Sequence, residues 1–106
     1  MGKILDQIKA LVSSADVRIS AHGYDELSDD DLTARDIVSG VSSAVSIEEY
    51  PDFPKGQCVL VLQRDNLGAP IHVVWGIPKG YNRPAVVVTA YRPDPTRWTE
   101  DFRRRR

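Results

Sequence analysis

The chain has 106 residues, 42% of them apolar, and carries 14 Lys+Arg against 15 Asp+Glu for a net charge of −1. This is the length of one domain, residues 1–106, with enough apolar content for a core without disulfides or a structural metal; the balanced charge excludes the global positive field that draws a protein onto nucleic acid, so any RNA contact needs basic groups concentrated locally. The single Cys58 cannot pair within the chain and lies in an apolar run as a buried inert thiol, which suits a reducing cytoplasm.

The first fifteen residues mix charged and apolar residues and lack the continuous apolar stretch of a signal peptide, and no run reaches membrane-spanning length. The expectation is a cytoplasmic protein without membrane contact. From Lys3 to Ser13, Ile4, Leu5, Ile8, Leu11 and Val12 recur at steps of three and four, which predicts an amphipathic docking helix. Ser20 can cap a second, short helix, with Ile19 and Tyr24 at the staple positions and His22 in its first turn. Ser28-Asp29-Asp30-Asp31 interrupts it. Thr33 then starts a third helix, with Asp36 at the capping-box position and Ile37 and Val41 facing inward.

The period changes at Val45. Val45 to Tyr50 alternates, Pro51 to Gly56 is rich in turn residues, and Gln57 to Arg64 is a nearly unbroken apolar run. Asp65-Asn66-Leu67-Gly68 is hairpin-turn chemistry and leads into a strand from Ile71 to Ile77; Ala85 to Arg92 forms the last strand. The connections are too short for crossover helices, so the fold class expected is α+β: two to three N-terminal helices packed on a four-stranded antiparallel meander. Strands two and four are apolar on both faces, so the helices cover one face and something more than water closes the other. Trp98 to Arg106, ending in four arginines, is too short and charged for a core element and reads as a frayed tail.

The residue types favour metal-free acid–base chemistry. Two histidines and one cysteine without ligand spacing make no dedicated zinc site, and neither a phosphate-binding glycine motif nor a serine-hydrolase elbow occurs. No metal and no cofactor is expected. His22 is the leading candidate, because the positive end of a helix dipole disfavours imidazolium and leaves a neutral base; the alternative is a histidine that only packs beside the cap. His72 lies in a strand on the face opposite Trp75, where a satisfied core histidine is the common outcome. Thr89 and Tyr91 share one strand face, and Arg92 points to the other or lies just past the strand end; a phenol and a guanidinium there can donate a proton and hold a phosphate, or be an idle surface pair. Arg18 and Tyr50 extend the polar patch. Trp98 either plugs the sheet or stacks on a base.

Five segments occur in a familiar order: Arg18-Ile19-Ser20-x-His22, Thr33-x-x-Asp36-Ile37, Ile47-Glu48-Glu49-Tyr50-Pro51, Gly68-x-Pro70-Ile71-His72-Val73-Val74, and Thr89-Ala90-Tyr91-Arg92-Pro93-Asp94-Pro95-x-x-Trp98. From Arg18 to Phe102, leaving out the first helix and the Arg103–Arg106 tail, the chain resembles an uncharacterised bacterial domain family often encoded beside zinc-finger antitoxins of the MqsA or YgiT type and grouped with RelE-like and BrnT-like RNase toxins. The resemblance implies a RelE/barnase-like fold and the toxin component of a type II toxin–antitoxin system, a metal-independent endoribonuclease. It implies His22 and His72 as base and acid, Tyr91 assisting proton transfer, and Arg18 and Arg92 steadying the phosphate. The implied partners are a cognate antitoxin protein and RNA.

The chain departs from the family pattern at Glu26, where an arginine is usual, and in the acidic run Asp25 to Asp31, which repels a phosphate backbone. Two alternatives therefore stand beside the nuclease: a toxin-like protein-binding module without catalysis, and a structural domain that dimerises through a sheet edge. Whether His22, His72 and Tyr91 share one pocket discriminates the first two.

Overall fold

The computed structural model describes residues 2–106. Helix α1 (Lys3–Ser13) is followed by strand β1 (Val17–Ile19), helices α2 (Ala21–Asp29) and α3 (Ala34–Gly40), a single 3-10 turn (Val41–Ser43), and strands β2 (Val45–Tyr50), β3 (Cys58–Arg64), β4 (Pro70–Gly76) and β5 (Ala85–Tyr91). Helices α2 and α3 begin where side chains can satisfy orphan amides. Ser20 Oγ accepts from the Gly23 amide at 2.9 Å, and Thr33 and Asp36 form a reciprocal capping box. Tyr24, placed at a staple position by the sequence, is 59% exposed and staples nothing.

The sheet order is β1-β5-β4-β3-β2. β2 to β5 form the expected antiparallel meander, but the sheet has five strands and is mixed, because β1 adds to the far edge parallel to β5, with Val17 opposite Ala85 and Ile19 opposite Val87. The four-stranded, all-antiparallel expectation is thus corrected. Three residues show no period, and their pairing is decided by a segment about seventy residues away in sequence. The Asp65 turn forms as its chemistry requires: Asp65 Oδ1 accepts from the Leu67 and Ala69 amides, and Gly68 takes a positive φ of 82°. The other Asp65 oxygen holds Arg92 Nη2 at 2.8 Å.

One sheet face, lined by Val59, Val61, Ile71, Val73, Trp75 and Val87, packs against Ile4, Leu5 and Ile8 of α1 and Leu27 and Ile37 of α2 and α3. Gln63 is the buried polar residue on this face; it accepts from Trp75 Nε1 at 2.7 Å and donates to the Ile37 carbonyl at 2.8 Å. Residues of the opposite, outer face include Cys58, His72, Val74, Thr89 and Tyr91, as strand alternation dictates. The C-terminal segment is no frayed tail. It folds back so that Trp98, only 7% exposed, bridges to Arg105 in a short antiparallel pair, and with Phe102 it roofs the His72 end of this face. Among the described residues no helix is long and apolar enough to cross a membrane.

Candidate functional site

The other half of the outer face is uncovered. It forms a cleft of about 660 Å³ whose apolar floor includes Cys58, Val74, Gly76, Val86 and Val88. Its walls come from two loops and a helix start. Ser20 and His22 stand on one side, and Tyr50, Phe53 and Lys55 on the other. Both walls are placed by close backbone contacts. Ser20 Oγ donates to the Val88 carbonyl at 3.0 Å and so ties the start of α2 to β5. Gly56, at a φ of 130°, lies against the main chain of Ile77 to Lys79, where a β-carbon has no room, and this lets the β2–β3 loop rise beside Pro78.

His22 projects from the first turn of α2 with 66% of its side chain exposed, and Glu26, one turn on, holds its Nε2 at 3.3 Å. Among the described residues Glu26 is thus the one carboxylate within ion-pair distance of the imidazole. Across the cleft, Tyr50 donates its hydroxyl proton to Glu48 Oε1 at 2.6 Å, and Arg105 reaches the same oxygen at 3.3 Å. Partial burial, reinforced by the Glu48 carboxylate, pushes the Tyr50 phenol above its usual value and keeps it protonated; the Tyr50 bond holds Glu48 below the usual carboxylate range, with Arg105 adding to it.

His72 and Tyr91 do come together, but elsewhere. They are cross-strand partners on β4 and β5, with His72 Nδ1 3.4 Å from the Tyr91 hydroxyl. His72 is fully buried; its Nε2 is 2.7 Å from the Phe102 carbonyl, and the Trp98 ring meets it edge-on with centroids 4.3 Å apart. Burial pushes the Tyr91 phenol up as well. The three residues expected to share a pocket are therefore divided: His22 lines the open cleft, whereas His72 and Tyr91 lie under the tail.

The remaining sequence candidates also separate. Tyr50 lines the cleft. Thr89 sits half-buried on the outer face opposite Val74. Arg18 is exposed on the edge strand β1. Arg92 is committed to structure, with Nη2 on Asp65 and Nη1 on the Pro70 carbonyl at 3.2 Å, while its amide donates to Asp30. Trp98 is the plug, with the Arg105 guanidinium 5.0 Å from its ring centroid. Sequence reasoning missed Lys55, Phe53, Glu48 and Arg105. Lys55 and Phe53 sit in a stretch whose composition signals only a turn, and the charge around Arg105 signals only a solvated end.

Residues 19–92 match the family described as "Domain of unknown function (DUF4258)". No curated protein and no solved structure matches the chain.

Proposed function

The chain belongs to the DUF4258 family, a domain of unknown function, and from that premise we propose that it is a toxin-type, metal-independent endoribonuclease whose reacting groups stand in the cleft beside His22. The observation that carries this reading is that an exposed imidazole, a protonated phenol and a lysine converge on one concave site. In this proposal the fold is related to those of the RelE and BrnT toxins, the protein acts in the cytoplasm, and a cognate antitoxin protein restrains it by covering the cleft.

His22 takes the proton from a ribose 2′-hydroxyl, and the freed oxygen attacks the adjacent phosphorus. The bond to the 5′-oxygen of the next nucleotide breaks, leaving a 2′,3′-cyclic phosphate. Tyr50 turns its proton from Glu48 to the departing oxygen, which leaves as a 5′-hydroxyl, and Lys55 faces the charge that builds on the phosphoryl oxygens. Phe53 and the apolar floor offer a surface on which a base stacks. His72 and Tyr91 act at one remove, by seating the segment that brings Arg105 to Glu48.

The test is induction of the wild-type chain, His22→Ala and Tyr50→Phe in a bacterial host, with total RNA followed on a gel and the purified proteins assayed on an RNA oligomer in excess chelator. Growth arrest and cleavage by the wild type, lost in both variants and unaffected by chelator, support the reading. A folded wild type that leaves RNA intact in both assays removes it.

Two observations favour a second reading, a toxin-like module that binds a protein and cuts nothing: His22 stands apart from His72 and Tyr91, which lie under the tail, and the rim of the cleft is acidic. His22, Asp25, Glu26 and Asp29 recur at helical spacing along α2, so an acidic stripe rises from the rim of an apolar cleft. That combination suits a basic amphipathic segment better than a phosphate backbone. It becomes the preferred reading if the wild type leaves RNA intact.

A further inference from the structure

Before residue 93 the chain holds nine Lys and Arg against twelve Asp and Glu; from Pro93 onward it holds five arginines against three acids. The positive charge that the whole sequence lacks is therefore gathered in a segment beyond the family match, which ends at Arg92. This segment is folded. It forms a shallow open depression of about 700 Å³ on the outer face, lined by Tyr91, Arg92, Arg97, Trp98, Arg105 and Arg106 together with Asp94 and Thr96.

The groups in the depression are held unequally. Arg105 is fixed over Trp98 and on Glu48, and Arg92 is spent on Asp65. Arg106 uses Nε on the Pro95 carbonyl at 3.0 Å, which leaves its terminal nitrogens available, and among the described residues Arg97 has no carboxylate within ion-pair distance. The side chain of Asp94, also in the lining, turns Oδ1 to the amide and hydroxyl of Thr96 at 2.9 and 2.8 Å. The backbone of the segment is tied by the Arg106 amide to the Arg97 carbonyl at 2.8 Å, which sets the two residues side by side across the chain reversal, and both line the depression. The depression adjoins the cleft at Tyr50, Glu48 and Arg105.

The geometry points to a phosphodiester-binding shelf formed by Arg97 and Arg106, on which the backbone of a single-stranded nucleic acid lies as it leaves the cleft beside His22. This rests on the nuclease reading for the direction of the strand, and it names a binding site that reading does not need for bond breaking. Bidentate guanidinium–phosphate pairs hold the strand, and the apolar cleft takes a base. The basic segment offsets the repulsion from the acidic stripe of α2 by carrying the backbone away from it.

The test uses the full-length chain and a fluorescent oligothymidylate, which lacks the 2′-hydroxyl and so cannot be cut by the proposed route. Binding is followed by anisotropy across a salt series. Each single-strand phosphate contact contributes about 0.7 to the slope of log K against log salt, so Arg97→Gln/Arg106→Gln lowers that slope by about 1.4. Arg103→Gln/Arg104→Gln removes the same charge from the same segment outside the depression, and it changes the slope by less than half as much. Equal losses in the two doubles, or no binding by the wild type at low salt, overturn the shelf. Binding with the expected pattern by a chain that cuts no RNA keeps the shelf and removes the nuclease; RNA cleavage with equal losses keeps the nuclease and removes the shelf.

Discussion

The imidazole of His72 on β4 and the main-chain carbonyl of Phe102 are joined by a 2.7 Å hydrogen bond that closes thirty residues of chain. A carbonyl only accepts, so Nε2 carries the proton, and Nδ1 faces the Tyr91 hydroxyl as an acceptor. Burial pushes the His72 pKa below its ordinary value, nearby Arg105 adds to this, and the Phe102 bond opposes it. The folded chain thus resists a proton that the unfolded chain accepts. Stability from this site is complete above about pH 6.5 and falls as pH drops from there toward the lowered folded value, by at most about 1.4 kcal/mol per pH unit. Urea unfolding between about pH 7.5 and 5.5 should show that slope in the wild type and a shallower one in His72→Gln, which keeps a donor but cannot titrate. Parallel curves for the two proteins would refute it.

Gly23 seats the start of α2 on β5. A β-carbon there would lie 2.8 Å from the Val87 carbonyl and 3.2 Å from Ile19 Cγ2, and the carbonyl belongs to a paired strand that cannot yield. Gly23→Ala therefore lifts the first turn of the helix and carries His22 with it. The expected cost is about 1–3 kcal/mol of stability from overpacking. Displacing a reacting group by about 1 Å can cost about a hundredfold in rate, so RNA cleavage should fall far more than the folded fraction does. Full activity in a folded Gly23→Ala protein would mean that the position of His22 is not what the reaction uses.

Elements with local signals were legible in the sequence, and elements made by distant pairing were not. The apolar spacing of Ile4, Leu5 and Ile8, the Thr33–Asp36 box and the Asp65 turn each act within a few residues, and all three form as read. β1 was missed because Val17 to Ile19 gains its strand character only from Ala85 to Val87. The tail was misjudged because its composition is charged, whereas its fold depends on Trp98 finding His72. The site divides in the same way. The cap at Ser20 announced His22, but Tyr50 and Glu48 of β2 meet Arg105 from the C-terminal segment, and Lys55 of the β2–β3 loop lines the same cleft as Tyr50. No spacing rule reaches that far.

Gln63 joins three elements by two hydrogen bonds in the dry core, from Trp75 Nε1 and to the Ile37 carbonyl. Gln63→Leu keeps the approximate shape and strands both partners, each at a cost of about 1–3 kcal/mol. The expected loss is about 2–4 kcal/mol by urea unfolding. Adding Trp75→Phe removes the orphaned donor, so the double variant should lose less than the sum of the two single changes. Simple additivity would show that the amide is not the link between β3, β4 and α3.

Trp98 decides whether the C-terminal segment is an element of the fold. It contacts His72 edge-on, carries Arg105 against its ring and is nearly excluded from water, so it is the main apolar contact by which a very polar segment is held. Trp98→Ala removes a side chain whose burial is worth about 3–5 kcal/mol. If that energy holds the segment alone, its opening becomes at least about a hundredfold more frequent while the sheet stays folded. Trypsin, which cuts after arginine, reports this directly: cleavage after Arg97 and Arg103 to Arg105 should accelerate by a similar factor in Trp98→Ala and stay near wild type in Trp98→Phe, which keeps the plug. Rapid cleavage of the wild-type segment under native conditions would overturn the folded tail, and with it the placing of Arg105 on Glu48 beside the cleft.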